Sequence, residues 1–227
     1  MYRKFLNARS PLRLLEKGLH GGLGRGNLGA VVAGHGVGKT PFLVGVALDE
    51  MLRGGHVLHV ALDESLQHVR DHYDTVFADL ASTSHLEHEA EVHADVDRHR
   101  SIRCYPRERF DVSRLREAVA LEVEAGARPD LIVVEGFDVS KREEVEALRS
   151  FARELDAEVW LSVAIQEEKV AGIPKALDGV ADLVSVILAL EPGDGVMHLR
   201  ALKDHDNPDL SELHVALDPR TLLLVRA

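Results

Sequence analysis

Leu28-Gly29-Ala30-Val31-Val32-Ala33 runs without a break into Gly34-His35-Gly36-Val37-Gly38-Lys39-Thr40-Pro41. The first six residues are an apolar run of strand length, and the glycine-rich stretch after them opens a helix whose first turn tolerates Pro41. A strand that empties through small residues into a helix start lets successive backbone N–H groups curl around phosphate oxygens. Lys39 then supplies a point charge for outer phosphates, and Thr40 a hydroxyl for Mg²⁺. The strict form of such a loop has glycine five residues before Gly38, where this chain has Ala33, a tolerable change if the position needs only a small residue. A dinucleotide-binding turn is the poorer match, because Gly34-x-Gly36-x-Gly38 lacks the G-x-x-G tail and carries a lysine that such a site avoids. The stretch from Ala33 to Pro41 is therefore read as the contact surface for a nucleotide.

Around this loop, 227 residues are enough for one domain with a sizeable core. We divide the chain into a basic arm and entry segment, residues 1–27, and a nucleotide-binding body, residues 28–227. The arm carries six basic side chains against the single Glu16, a net +5, which leaves −16 for the rest of a chain of net charge −11. Such an acidic body argues against a general nucleic-acid binder, which needs a clustered basic surface to release counterions. The arm is expected either as solvated charge or seated on the acidic face of a neighbouring copy. A single cysteine, Cys104, makes no internal disulfide, and no apolar run has the length of a membrane span, so a cytoplasmic setting is expected.

Downstream, the pattern predicts a helix from Gly38 to Arg53 and a strand over His56–Leu62 ending in Asp63-Glu64-Ser65. Ser65 or Asp63 is placed to cap the next helix, running to about Leu80. Chemistry in an open parallel sheet collects at the carboxyl ends of strands, which makes Asp63 and Glu64 candidates for orienting water. The polar, histidine-rich segment 81–100 reads as helix with loops. His85, His88 and His93, like His68 and His72, read as solvated helix faces, since no cysteine joins them. A short strand over 101–105 and a helix over 111–125 lead to Leu131-Ile132-Val133-Val134-Glu135, a both-faces-buried strand. Glu135 lands where an acid would hold Mg²⁺, with Asp138 as an alternative just beyond; aspartate is the usual residue, and the extra methylene displaces the oxygens by more than an ångström. A helix over 141–155 and a strand over 158–165 follow, ending at Gln166, whose amide is positioned either to sense a γ-phosphate or to satisfy loop backbone. The remainder reads as strands at 183–190, 196–203, 212–217 and 221–225, the first two joined by a turn at 191–195. An α/β fold with a mainly parallel central sheet and antiparallel C-terminal edge strands is the expectation.

The loop, the Asp63-Glu64 corner, Glu135, Gln166 and the terminal strands, in this order, resemble the RecA-like P-loop ATPases, and within them the KaiC and DnaB-helicase-like group. The resemblance extends from about Leu12 to the end and includes the entry segment Leu19-His20-Gly21-Gly22-Leu23-Gly24-Arg25-Gly26. It implies a three-layer fold, ATP and Mg²⁺ as ligands, and a homo-oligomer with nucleotide at the subunit interface. It also implies that Glu64, or the shortened Asp63, activates water, and that a Lys-x-Arg pair reaches a neighbour's γ-phosphate. Lys203 is retained at that pair, whereas His205 replaces the arginine and carries full charge only when protonated. Glu135, Asp63 and His205 all depart from the pattern at groups that touch hydrolysis, while the phosphate cradle is nearly intact. The leading expectation is an ATP-binding switch with slow hydrolysis. Two alternatives stand beside it: a non-hydrolysing module read by a protein partner, and a DNA-handling motor using loops 139–143 and 167–179. A nucleotide kinase would need a lid of arginines, for which only Arg98, Arg100 and Arg103 offer themselves.

Overall fold

The computed structural model describes residues 1–167 and 169–227. Nine strands form one sheet in the order β3-β2-β4-β5-β1-β6-β7-β8-β9. The parallel part contains β1 (Leu28–Ala33), β2 (Val57–Leu62), β3 (Arg100–Tyr105), β4 (Leu131–Glu135), β5 (Glu158–Ala164) and β6 (Val186–Gly193). Antiparallel β7 (Val196–Asp204), β8 (Val215–Leu217) and β9 (Leu224–Arg226) extend one edge. No helix among the described residues is long and apolar enough to cross a membrane.

Helices cover both faces of the sheet, and the period-two alternation of the strands decides what each helix meets. On β1, Val31 and Ala33 face one core cluster and Leu28, Ala30 and Val32 the other. The first core is closed by α1 (Arg3–Ala8), α2 (Leu12–Gly18), α3 (Lys39–Arg53), α4 (Leu66–Ser84) and α5 (Glu89–Arg98). The second is closed by α6 (Val112–Glu124) and α7 (Arg142–Leu155). Both cores run through the parallel strands, which is why β1, β2 and β4 read as nearly continuous apolar runs.

The arm packs on its own chain through its apolar side chains, with Leu6, Leu12, Leu15, Leu19 and Leu23 buried in the first core, while Lys4, Arg9, Lys17 and Arg25 stay exposed. Its basic side chains meet acids of the same chain: Arg3 pairs with Asp95, and Arg13 with Asp49 and Glu16. The leucines at helical spacing, not the charge, decide the placement.

Boundaries at the antiparallel edge also shift. The turn expected at 191–195 contracts to Asp194-Gly195, both at positive φ, so that Pro192 pairs with Met197 inside the hairpin. Asp-Gly is the two-residue sequence that matches the twist of a tight hairpin. The strand expected over 212–217 shortens to β8, and β9 begins at Leu224 rather than at 221.

Candidate nucleotide site

The strands β2, β4, β5 and β1 run parallel in that order, so their carboxyl ends share one edge of the sheet, with Ala61 of β2 level with Glu135 of β4. This juxtaposition brings the glycine loop, the Asp63-Glu64 corner and Glu135 to one end of the sheet. Gly36 and Gly38 both take positive φ, and a Cβ added at Gly38 would lie 2.5 Å from the Leu217 side chain, so glycine is required there on two counts. Among the described residues nothing stands within 4 Å of a Cβ built at Gly36, where the loop opens outward. α3 starts at Lys39 with no side-chain cap, leaving its first N–H groups free.

Lys39 folds back over the loop and donates to the carbonyls of Ala33 (3.0 Å) and Gly34 (2.8 Å). Burial lowers its pKa, with the nearby Glu135 opposing the shift. Thr40 Oγ1 donates to Glu135 Oε2 at 2.6 Å. The other carboxylate oxygen, Oε1, lies 3.0 Å from His59 Nε2, and His59 Nδ1 lies 2.9 Å from the Tyr73 hydroxyl. A carboxylate only accepts, so Nε2 carries the proton; in the neutral ring Nδ1 accepts from Tyr73, whose hydroxyl is held protonated by burial. His59 and Tyr73 are wholly buried, and the Arg100 guanidinium stacks on the Tyr73 ring at 4.7 Å. Burial would raise the pKa of Glu135, but hydrogen bonds from His59 and Thr40 outweigh it and hold the carboxyl below its ordinary value.

The extra methylene of glutamate is thus accommodated: one oxygen reaches Thr40 and the other is held by a histidine one strand away. Sequence reasoning passed over His59, although a lone polar side chain inside a strand buried on both faces requires a partner. It also passed over Arg107, which follows β3 where a parallel sheet gathers its chemistry, and it read His72 as solvent-facing. His72 lines a cavity of about 470 Å³ together with the loop, Glu64, Met197 and Leu217, and burial lowers its pKa.

A second cavity of about 640 Å³ shares His35, Lys39 and Glu64 with the first and adds Glu135, Asp138 and Arg107. Lys39, Thr40, Glu64 and Glu135 therefore converge. Asp63 does not join them: at φ 61° it turns to Arg107, accepting the backbone N–H at 2.9 Å and facing Nε at 3.2 Å. Ser65, not Asp63, caps α4, accepting from the His68 N–H at 3.1 Å. Gln166 is exposed. Lys203 and His205 lie near the opposite end of the sheet, where Asp204 pairs with Val186 and Val186 with Gly29. Lys203 donates to the Ala181 carbonyl at 2.7 Å, and His205 Nε2 is 3.1 Å from that of Gly22.

Basic residues invoked for other chemistries are engaged elsewhere. Arg98 and Arg100 pair with Asp95 and Asp97, and Arg103 with Glu122. In loop 139–143, Lys141 faces Asp138 and Arg142 is bound by Glu146 and Asp182; in loop 167–179, Glu168 lies outside the described residues.

Among the described residues no group of three or more His, Cys, Asp or Glu side chains is arranged to hold a metal ion. Mg²⁺ does not need one, since it is typically held by one or two protein oxygens, waters and substrate phosphates. The Thr40 hydroxyl and Glu135 carboxylate, in contact beside the loop, are a donor set of that kind. No protein-family model matches the chain, and no curated protein does.

Proposed function

We propose that the chain is a RecA-like P-loop protein that binds Mg-ATP, hydrolyses it slowly and acts as a nucleotide-dependent switch between assembled copies. The observation that carries this reading is the convergence of Lys39, Thr40, Glu64 and Glu135 on one cleft at an uncapped helix N-terminus. The loop N–H groups and Lys39 hold the phosphates, with Lys39 exchanging its two loop carbonyls for phosphate oxygens. Thr40 and Glu135 would hold Mg²⁺, which supplies charge neutralisation at the β- and γ-phosphates. Glu64, whose carboxylate lies 3.9 Å from His68 Nε2, orients water. Catalysis of this kind is positioning and charge stabilisation.

A non-hydrolysing module is the second reading, favoured by the bonds that tie Lys203 and His205 within their own chain. Lys203 completes a neighbour's site only after leaving the Ala181 carbonyl, so an isolated copy holds nucleotide without that help.

Phosphate release, ATP titration and molecular mass measured together on wild type and Lys39→Ala test the proposal. Lys39→Ala is expected to weaken ATP binding at least about 100-fold, the loss of two or more charge-assisted hydrogen bonds. Equal, negligible phosphate release from both proteins with tight ATP binding by wild type alone selects the non-hydrolysing module. Equal ATP affinity in both removes the nucleotide reading.

A further inference from the structure

Asp63 stands where the family resemblance places a water-activating acid, yet both its oxygens face Arg107. Arg107 opens a short helical turn, Arg107–Arg109, directly after β3. Its backbone N–H is bound to Asp63 Oδ1 at 2.9 Å and its Nε lies 3.2 Å from Asp63 Oδ2, so one residue anchors its main chain and faces the near edge of its guanidinium. The far edge lies over Gly136, just past Glu135: a Cβ built there would be 3.2 Å from Nη2. Gly136 also takes φ 80°, so the passage beside Arg107 stays clear of side chains.

Among the described residues neither Nη nitrogen has a hydrogen-bond acceptor, and Arg107 lines the same 640 Å³ cavity as Lys39, Glu64 and Glu135. A guanidinium ion-paired at Nε, with its two terminal nitrogens free of acceptors beside a cleft lined by the glycine loop, is shaped for a phosphoryl group.

We propose that Arg107 is a catalytic residue that contacts the γ-phosphate from within the same chain, and that Asp63 is its positioning residue. This rests on the Mg-ATP reading above. During hydrolysis the water oxygen bonds to the γ-phosphorus while the bond to the β,γ-bridging oxygen breaks. The electron pair leaves with ADP, and the water proton passes to Glu64. Negative charge on the γ-phosphoryl oxygens is what the Nη groups stabilise. The shortened acid at 63 then no longer activates water; it holds an arginine in cis, in a chain whose Lys-x-Arg position carries His205 instead.

The test compares wild type, Arg107→Ala, Arg107→Lys and Asp63→Ala for ADP affinity, for retention of ADP with aluminium fluoride, and for phosphate release. ADP affinity is expected to stay within about twofold, since Arg107 is assigned to the γ-position alone. Retention of ADP–aluminium fluoride is expected to be lost in Arg107→Ala and poorly restored by lysine, which has no fork. Phosphate release is expected to fall about 10³-fold, the lower range for an arginine of this role. Asp63→Ala is expected between wild type and Arg107→Ala in both. Unchanged retention in Arg107→Ala, or a wild type that binds ATP but retains no ADP–aluminium fluoride, overturns the assignment and leaves the nucleotide reading standing. A wild type that binds no nucleotide overturns both.

Discussion

The two ends of α3 are treated in opposite ways. At its C-terminus, Gly54 takes the left-handed conformation, the Gly55 N–H returns to the Glu50 carbonyl at 3.1 Å, and Arg3 donates to the carbonyls of Leu52 (2.7 Å) and Met51 (2.9 Å). The carbonyls of Glu50, Met51 and Leu52 thus find partners, two of them in a cation that suits the negative end of the dipole. At the N-terminus no side chain caps the helix, and Gly38 leaves the N–H groups facing a cleft. One end is finished by the chain itself; the other, in the proposed function, is finished by an anion. The arm end should therefore matter for folding alone, and the loop end for binding.

The largest test of that separation is Leu15→Ala. Leu15 is 4% exposed and joins the arm to the core around α3. Its truncation is expected to lower unfolding free energy by about 2–5 kcal/mol, read by chemical denaturation. Nucleotide affinity, titrated where the variant is fully folded, is expected to match wild type. A parallel loss of affinity would mean that the two ends communicate through α3.

At the loop end, His59→Leu is expected to cost about 1–3 kcal/mol for each buried group left without a partner, here the Tyr73 hydroxyl and one oxygen of Glu135. Unlike the arm variant, it should also raise the Mg²⁺ concentration required for tight nucleotide binding, because the carboxylate beside Thr40 loses the donor that orients it. Destabilisation with an unchanged Mg²⁺ requirement would assign His59 to the core alone.

These two sites also show what the sequence could and could not reveal. Strand, glycine loop and helix were legible in residues 28–53 because the signal is local: period, glycine placement and the Gly-Lys-Thr run follow one another in the chain. The same holds for the run into Glu135 and for the mixed sheet. His59 was not legible as part of the site, because its meaning lies in a partner 76 residues away and in the register that sets Ala61 beside Glu135. The ion pairs of Arg3 and Arg13 were not legible for a related reason: the acids that receive them, Asp95 and Asp49, sit on helices that only folding brings near. Asp63 and Glu64 are adjacent in sequence with the same charge, and nothing local distinguishes them. The left-handed φ at Asp63 turns one toward Arg107 and leaves the other at the loop cleft.

The smallest effect sharpens the assignment at that corner. Ser65 and Asp63 were equally placed to cap α4, and the extended backbone of Ser65 with its hydrogen bond to the His68 N–H gives the role to serine. Ser65→Ala is expected to cost about 1 kcal/mol of stability. Nucleotide affinity should hold, because the cap bond spans only the first turn of α4, whereas Tyr73, which steadies His59, lies beyond that turn and is anchored by its buried ring. Asp63→Ala should show the reverse, with stability nearly unchanged for an exposed pair and a loss that appears only at the γ-phosphate. If the serine variant were instead the one to lose ADP–aluminium fluoride, the start of α4 would be part of the phosphate site, and the division between groups that fold the corner and groups that serve the ligand would fall one residue later than the hydrogen bonds place it.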